Sequence, residues 1–271
     1  FRKKFPKKFL NVGVSEQNMI GVATGLSKKG FNVFCYSLGN FPTLRCLEHI
    51  RNDASYHNSN IKIINVGGGY SYGPLGFSHH ATEDLSIMRS IPNISVIAPS
   101  SNNETEILTK FIFKRKGLFY FRLDKKRNEL FKVKKNKIKF GKITKIKNGK
   151  DIAIISTGGI VNEAYKASEI LNNYGVKCAV FSCHTIKPFD NYIIKILKNY
   201  KKIYVVEENS EIGGLNGLIS EISMKNSIKL ETYKNFGIND AFVKTVGDRE
   251  YLLSKNGLTA NQIVKQIRKI K

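Results

Sequence analysis

Long apolar runs are missing from this 271-residue sequence: stretches such as Ile61–Val66 and residues 152–155 are strand length. A membrane-crossing helix needs roughly 20 apolar residues, so a helical span is excluded. Cysteine is scarce, with four residues and no C-x-x-C pair. That excludes a disulfide framework or a zinc ribbon and suits reduced core thiols in a cytoplasmic protein. Cys183-His184 has no second Cys/His pair near it and does not read as a metal site. Acidic residues are also few, 21 against 45 Lys plus Arg, for a net charge of +24. Such an excess invites a nucleic-acid reading, because clustered cations gain affinity by releasing phosphate counterions. Here the excess is mostly Lys spread along the chain, and no RNP, KH or zinc-finger pattern accompanies it. The densest run, Lys132 to Lys150, reads as a solvated linker. Nucleotide and metalloprotease fingerprints are missing too: there is no G-x-x-x-x-G-K-[ST] or H-E-x-x-H, and no G-x-G-x-x-G opens a helix. The first residue is Phe, and FRKKFPKKFL has no continuous apolar region of the kind a secretory signal carries, so the sequence is expected to be a fragment that lacks its start.

What is present is a globular composition, 41% hydrophobic and 11% aromatic, enough for one large domain or two ordinary ones. Ser15 and Glu16 open a helical pattern that Gly30 stops. β-Branched and apolar runs predict strands at 31–36 and 61–66 around a helix at 43–56. A long glycine-rich loop follows at 67–80, GGGYSYGPLGFSHH, of a length that is commonly functional. Next come a helix at 82–89, a strand at 95–98, a helix capped by Ser101 and Glu104 as a capping box, and a strand at 118–123. Asn148-Gly149 predicts a hairpin joining 139–147 to 151–156. The alternation then resumes with helices at 161–173, 191–197, from Gly213-Gly214 and from 259 to the end, and strands at 176–182 and 202–207. This rhythm predicts an α/β protein of two domains, each a mostly parallel sheet flanked by helices. The domains are expected at 1–125 and 151–271, joined by a basic linker and the start of the hairpin at 126–150.

Three features stand near the strand ends and helix starts where α/β sheets place ligands: Glu16, the His79-His80 pair, and Arg122. Each alone has an ordinary explanation, namely a helix dipole, a loop contact and a surface ion pair.

Taken with their flanks, these residues resemble the thiamine-diphosphate-dependent transketolase family. NVGVSEQNMIGVATGLSKKG (11–30) is similar to that family's segment with the cofactor-activating glutamate, and GFSHHATEDLSIMRSIPNISVIAPSSNNE (76–104) to its substrate-histidine loop and following strand. DIAIISTGGIVNEA, HTIKPFD, VVEENSEIGGL and GLTANQIVKQI resemble the family's C-terminal domain, so the likeness covers nearly the whole chain, in the manner of the C-terminal subunit of split transketolases. The resemblance implies two-carbon ketol transfer from a ketose or its phosphate to an aldose. It assigns Glu16 to N1′ of the cofactor's aminopyrimidine, where burial would hold the carboxyl protonated. It assigns Phe41 to the pyrimidine ring face, His79 with His80 to the substrate hydroxyls, and Arg122 to a substrate phosphate. It also shows departures: Leu75 and Gly67 stand where an acidic residue and a second histidine are usual, Leu38 where a second aromatic is, and no G-D-G followed by Asn is present. The diphosphate and Mg²⁺ are therefore expected on an N-terminal partner subunit, in an α2β2 assembly, with a nonstandard sugar in view. Decarboxylation of a 2-oxo acid with acyl transfer, a noncatalytic scaffold, and a basic nucleic-acid-binding protein are the alternatives.

Overall fold

A computed structural model describes residues 1–125 and 129–270; the first three residues of the expected linker lie outside them. Two five-stranded sheets organise the chain. In the first, β1 (Val33–Leu38), β2 (Ile61–Val66), β4 (Leu118–Leu123) and β3 (Ile94–Ile97) run parallel in that spatial order. Their connections are helical: α2 winds through 44–55 as a 3₁₀ turn, one α turn and a π turn, and α3 (Asp84–Ser90) and α4 (Asn102–Lys114) follow β2 and β3. β1 starts two residues later than its apolar pattern predicts. Residue 31 is used to close α1 (Glu16–Lys28), where Gly30 turns at φ +90° and the Phe31 amide donates to Leu26 O, and the Asn32 side chain is tied to α4 by donating to Phe113 O.

The second sheet has the order β10 (Thr232–Ile238), β9 (Lys202–Ser210), β6 (Ile152–Ser156), β7 (Cys178–Ser182), β5 (Thr144–Lys147). Helices α5 (Val161–Asn173), α6 (Tyr192–Asn199), α7 (Gly214–Lys225), α8 (Arg249–Lys255) and α9 (Ala260–Lys269) accompany it. The hairpin expected at Asn148-Gly149 does not form: β5 pairs antiparallel with β7, while β6 lies on the other flank of β7. The connection crosses the start of β7, where the amides of Lys150 and Asp151 both donate to Lys177 O. A Cβ at Gly149 would stand 2.2 Å from Ala179 N, so glycine serves a backbone crossing here rather than a two-residue turn.

A strand that the sequence pattern hides, β8 (Thr185–Lys187), leaves the second half to pair antiparallel with β3 of the first sheet. Apolar packing also joins the halves: Leu85 and Met88 of α3 share one buried cluster with Leu215, Leu218 and Ile219 of α7. Full burial of each such side chain is worth ~1.5–3 kcal/mol. The loop that follows β2 is tied to the second half as well, the Tyr70 amide donating to Glu208 Oε1 and the Ser210 amide to Thr82 O.

Candidate active site

Glu16 is the first residue of α1, where a carboxylate is favoured by the helix dipole. Ser15 does not cap the helix; its hydroxyl donates to Val12 O at 2.6 Å. The Glu16 carboxylate is buried and takes hydrogen bonds from Ser37 of β1 (3.0 Å to Oε1) and from Arg45 Nη1 (2.8 Å to Oε2). Burial pushes this carboxyl up, but its own backbone amide, Ser37 and the Arg45 charge outweigh that and hold it below the usual carboxylate range. Burial alone does not set the pKa of Glu16 here, because Ser37 and Arg45 pair with its carboxylate.

Phe41 follows the turn after β1, with the Arg45 guanidinium 5.0 Å from its ring centroid and the His79 imidazole edge-on at 5.1 Å. Gly39 makes that approach possible. It sits at φ +52°, and a Cβ there would meet the His79 carbonyl oxygen at 2.9 Å. His79 is half-buried, with Nδ1 3.1 Å from the Ser78 hydroxyl. Glu16, Arg45, Phe41 and His79 therefore form one continuous cluster at the ends of β1 and β2.

His80 and Arg122 are not in that cluster. His80 is buried edge-on against Tyr70, with Nε2 3.5 Å from Gly73 O, and burial pulls its pKa down. Arg122 is 4% exposed. Its Nη1 lies 3.3 Å from Asp84 Oδ1 and its Nη2 donates to Glu208 O at 2.7 Å. Asp84 in turn accepts from Tyr120 at 2.5 Å, and Glu208 accepts from the Tyr70 amide and from Arg249. This geometry gives Arg122 a bridge between β4 and β9, not an open fork for a phosphate.

Sequence reasoning missed Arg45 and Ser37, for which single-chain spacing carries no cue, and the buried acids Asp84, Glu207 and Glu208. A cue for the last two existed: carboxylates directly after the apolar run 203–206 are expected to be buried and partnered if the strand continues, and β9 runs on to Ser210. Glu207 is fully buried and accepts from the amides of Leu215 and Asn216 at the start of α7. Among the described residues no group of three or more His, Cys, Asp or Glu side chains could hold a metal ion. Among the same residues no helix is long and apolar enough to cross a membrane.

Comparison with known proteins bears on this geometry. Residues 1–129 match the family described as transketolase, pyrimidine binding domain, and residues 141–263 match transketolase, C-terminal domain. The chain is 39% identical over 269 residues to a putative transketolase C-terminal section of Methanocaldococcus jannaschii, covering 98% of this chain and 84% of that protein. It is 32% identical to an apulose-4-phosphate transketolase subunit of Actinobacillus succinogenes, covering 97% of this chain and 85% of that protein. A solved structure described as a split gene transketolase, inactive beta4 tetramer, superposes with a TM-score of 0.86 at 31% identity, covering 100% of this chain and 86% of that one.

Proposed function

The chain belongs to the transketolase family, and from that premise we propose that it is the C-terminal subunit of a split transketolase. Together with an N-terminal partner it transfers a two-carbon ketol unit from a ketose or ketose phosphate to an aldose. One observation carries this reading: a buried carboxylate at a helix start, next to a half-buried aromatic ring and a half-buried imidazole, at the carboxyl ends of two parallel strands.

Family membership implies thiamine diphosphate as cofactor, and the donor set tests whether its pyrimidine half fits. Glu16 offers a carboxyl for a ring nitrogen and Phe41 offers a flat face, both within reach of the same guanidinium, so the residues suit a planar N–H-bearing heterocycle. When bound, thiamine diphosphate supplies the electron sink that lets a carbon–carbon bond beside a carbonyl break. Glu16 holds a proton at N1′, Phe41 orients the ring, and His79 at the mouth of the site hydrogen-bonds substrate hydroxyls and moves their protons. On this reading residues 1–125 form the pyrimidine-binding domain and 151–271 the C-terminal domain, with 126–150 between them.

The diphosphate and Mg²⁺ fall to the N-terminal partner, because the described residues offer no ligand cluster and the sequence has no G-D-G with a following Asn. Apolar exposure beside the site supports a protein cover there: Val14 is 90% exposed two residues before Glu16, and Leu10 is 64% exposed. An α2β2 assembly follows from pairing two such heterodimers. Relatives named for apulose-4-phosphate and for 6-deoxy-6-sulfo-D-fructose transketolases point to a nonstandard sugar. The exposed Leu75, Phe77 and Phe242 beside His79 support this too, since they leave that flank apolar.

The test is to copurify the chain with its N-terminal partner, titrate thiamine diphosphate and Mg²⁺ calorimetrically into the complex and into this chain alone, and then screen ketose donors. Binding by the complex only, followed by ketol transfer, supports the reading. Turnover of a 2-oxo acid and of no ketose would move it to acyl transfer, and no binding by a stable complex would end the enzymatic reading.

A further inference from the structure

The two groups that an aminopyrimidine would use are already engaged by one side chain. Arg45 Nη1 is 2.8 Å from Glu16 Oε2, and the same guanidinium lies over the Phe41 ring at 5.0 Å. A guanidinium is planar, donates along its edge and stacks on an aromatic face, so it satisfies a carboxylate beside an aromatic ring in the manner of a protonated aminopyrimidine.

We propose that Arg45 is a positioning residue that occupies the place of the cofactor's pyrimidine, pairing Glu16 and covering Phe41 until the cofactor displaces it. The inference rests on the functional reading in which Glu16 and Phe41 receive that ring. Exposure identifies which partner moves. The Arg45 side chain is 41% exposed and can swing into water, whereas that of Glu16 is 11% exposed and also tied to Ser37. Arg122 and Asp84 behave differently: those side chains are 4% and 1% exposed, a permanent bridge, while the Arg45–Glu16 pair is open on the cation's side and so easily exchanged. Cys46 beside Arg45 is buried, and burial, with the Glu16 charge, pushes its thiol up to about 12, so it adds no second negative charge to the pair.

Displacing the guanidinium hands Glu16 a new hydrogen-bond partner and removes one of the influences that lower its pKa, while its backbone amide and Ser37 stay in place. The carboxyl that burial alone would favour in neutral form then becomes able to hold a proton against a ring nitrogen. One side chain thus protects an otherwise unpaired buried carboxylate before the cofactor arrives and yields it afterwards.

The experiment measures the dissociation constant of thiamine diphosphate with Mg²⁺ by calorimetry on the reconstituted complex, for wild type, Arg45→Met and Arg45→Lys. Methionine keeps the stem and removes the competing cation, so binding tightens about two- to fivefold, the ratio that corresponds to ~0.5–1 kcal/mol for a half-exposed ion pair. Lysine keeps a cation for Glu16 and stays within about twofold of wild type. Equal affinity in wild type and the methionine variant, or weaker binding in the latter, overturns the proposal while leaving the cofactor reading intact. Absence of binding by wild-type complex overturns that reading, and this inference with it. Melting temperatures of the three complexes without cofactor, expected to agree within a few degrees, show that the variants are folded.

Discussion

Replacing Arg122 by Met distinguishes a structural arginine from a substrate-binding one. In the structure this side chain is buried beside Asp84 and donates to the Glu208 carbonyl, which ties β4 to β9. Methionine fills much of the same volume but leaves Asp84 buried without its cation, a change that costs ~3–5 kcal/mol when one member of a buried pair is removed. Asp84 retains the Tyr120 hydroxyl at 2.5 Å, which puts the loss toward the lower end of that range. Against a total stability of ~5–15 kcal/mol the deficit is easily read by urea or guanidinium unfolding followed by circular dichroism, as a lower midpoint. It also has a sign with pH. Burial already pushes Asp84 up and Arg122 is the main influence opposing it, so without Arg122 the folded-state pKa lies above the unfolded value. Stability from such a group is fully present below the unfolded pKa and is lost as pH rises through the folded one, so the variant's deficit narrows on going from pH 8 to pH 5. Arg122→Met with Asp84→Asn recovers part of the loss, because no charge is then stranded. A variant within ~1 kcal/mol of wild type, combined with a raised KM for phosphorylated substrates, would refute this reasoning and return Arg122 to a phosphate site.

Glu16→Gln keeps the fold, with a melting temperature within a few degrees of wild type because its pair with Arg45 is half-exposed, but lowers kcat of the complex about 10²–10⁴-fold as a lost proton-transfer group should; steady-state kinetics with a ketose donor checks this. Gly39→Ala places a Cβ 2.9 Å from the His79 carbonyl oxygen at φ +52°, so it costs ~1–3 kcal/mol in denaturant unfolding and lowers turnover by shifting His79. Glu207, pushed up to about 8 by burial against the opposing amides of Leu215 and Asn216, contributes stability that is present below the unfolded pKa and lost as pH rises through 8. Melting temperature should therefore fall between pH 5 and pH 9 in wild type and fall less in Glu207→Gln; parallel profiles would remove Glu207 as the cause.

The parts of the fold legible in the sequence are those with a local signal. The run Ile61–Val66 needed only β-branched residues to declare itself, and the Ser101 hydroxyl does accept the Glu104 amide as its spacing predicts. Even there the reciprocal half of the capping box is replaced, since the Glu104 carboxylate turns to the amide and hydroxyl of Ser100. Asn148-Gly149 misled because a dipeptide suited to positive φ says nothing about which strand lies next to it. The glycine is required by the backbone of β7 passing 2.2 Å from where a Cβ would be, a tertiary demand that no local pattern records. β8 is hidden for a related reason: three residues, Thr185–Lys187, carry no period, and only the open edge of β3 makes them a strand.

The candidate site divides along the same line. Glu16, Phe41 and His79 lie far apart in sequence, and their residue types alone admitted ordinary explanations; it is the parallel register of β1 and β2, with Leu38 opposite Val66, that brings the segments after both strands to one edge. What spacing could not reveal is who neutralises whom. Two arginines, 45 and 122, look interchangeable in the sequence, yet one sits at the mouth of the cluster on a carboxylate and an aromatic face, while the other is sealed between two sheets by an aspartate and a backbone carbonyl. Because the cost of separating a charge pair rises steeply with burial, that difference decides their roles. The exposed pair can be exchanged for a ligand at small cost, and the buried one can only be broken by loosening the junction between the halves that positions the site.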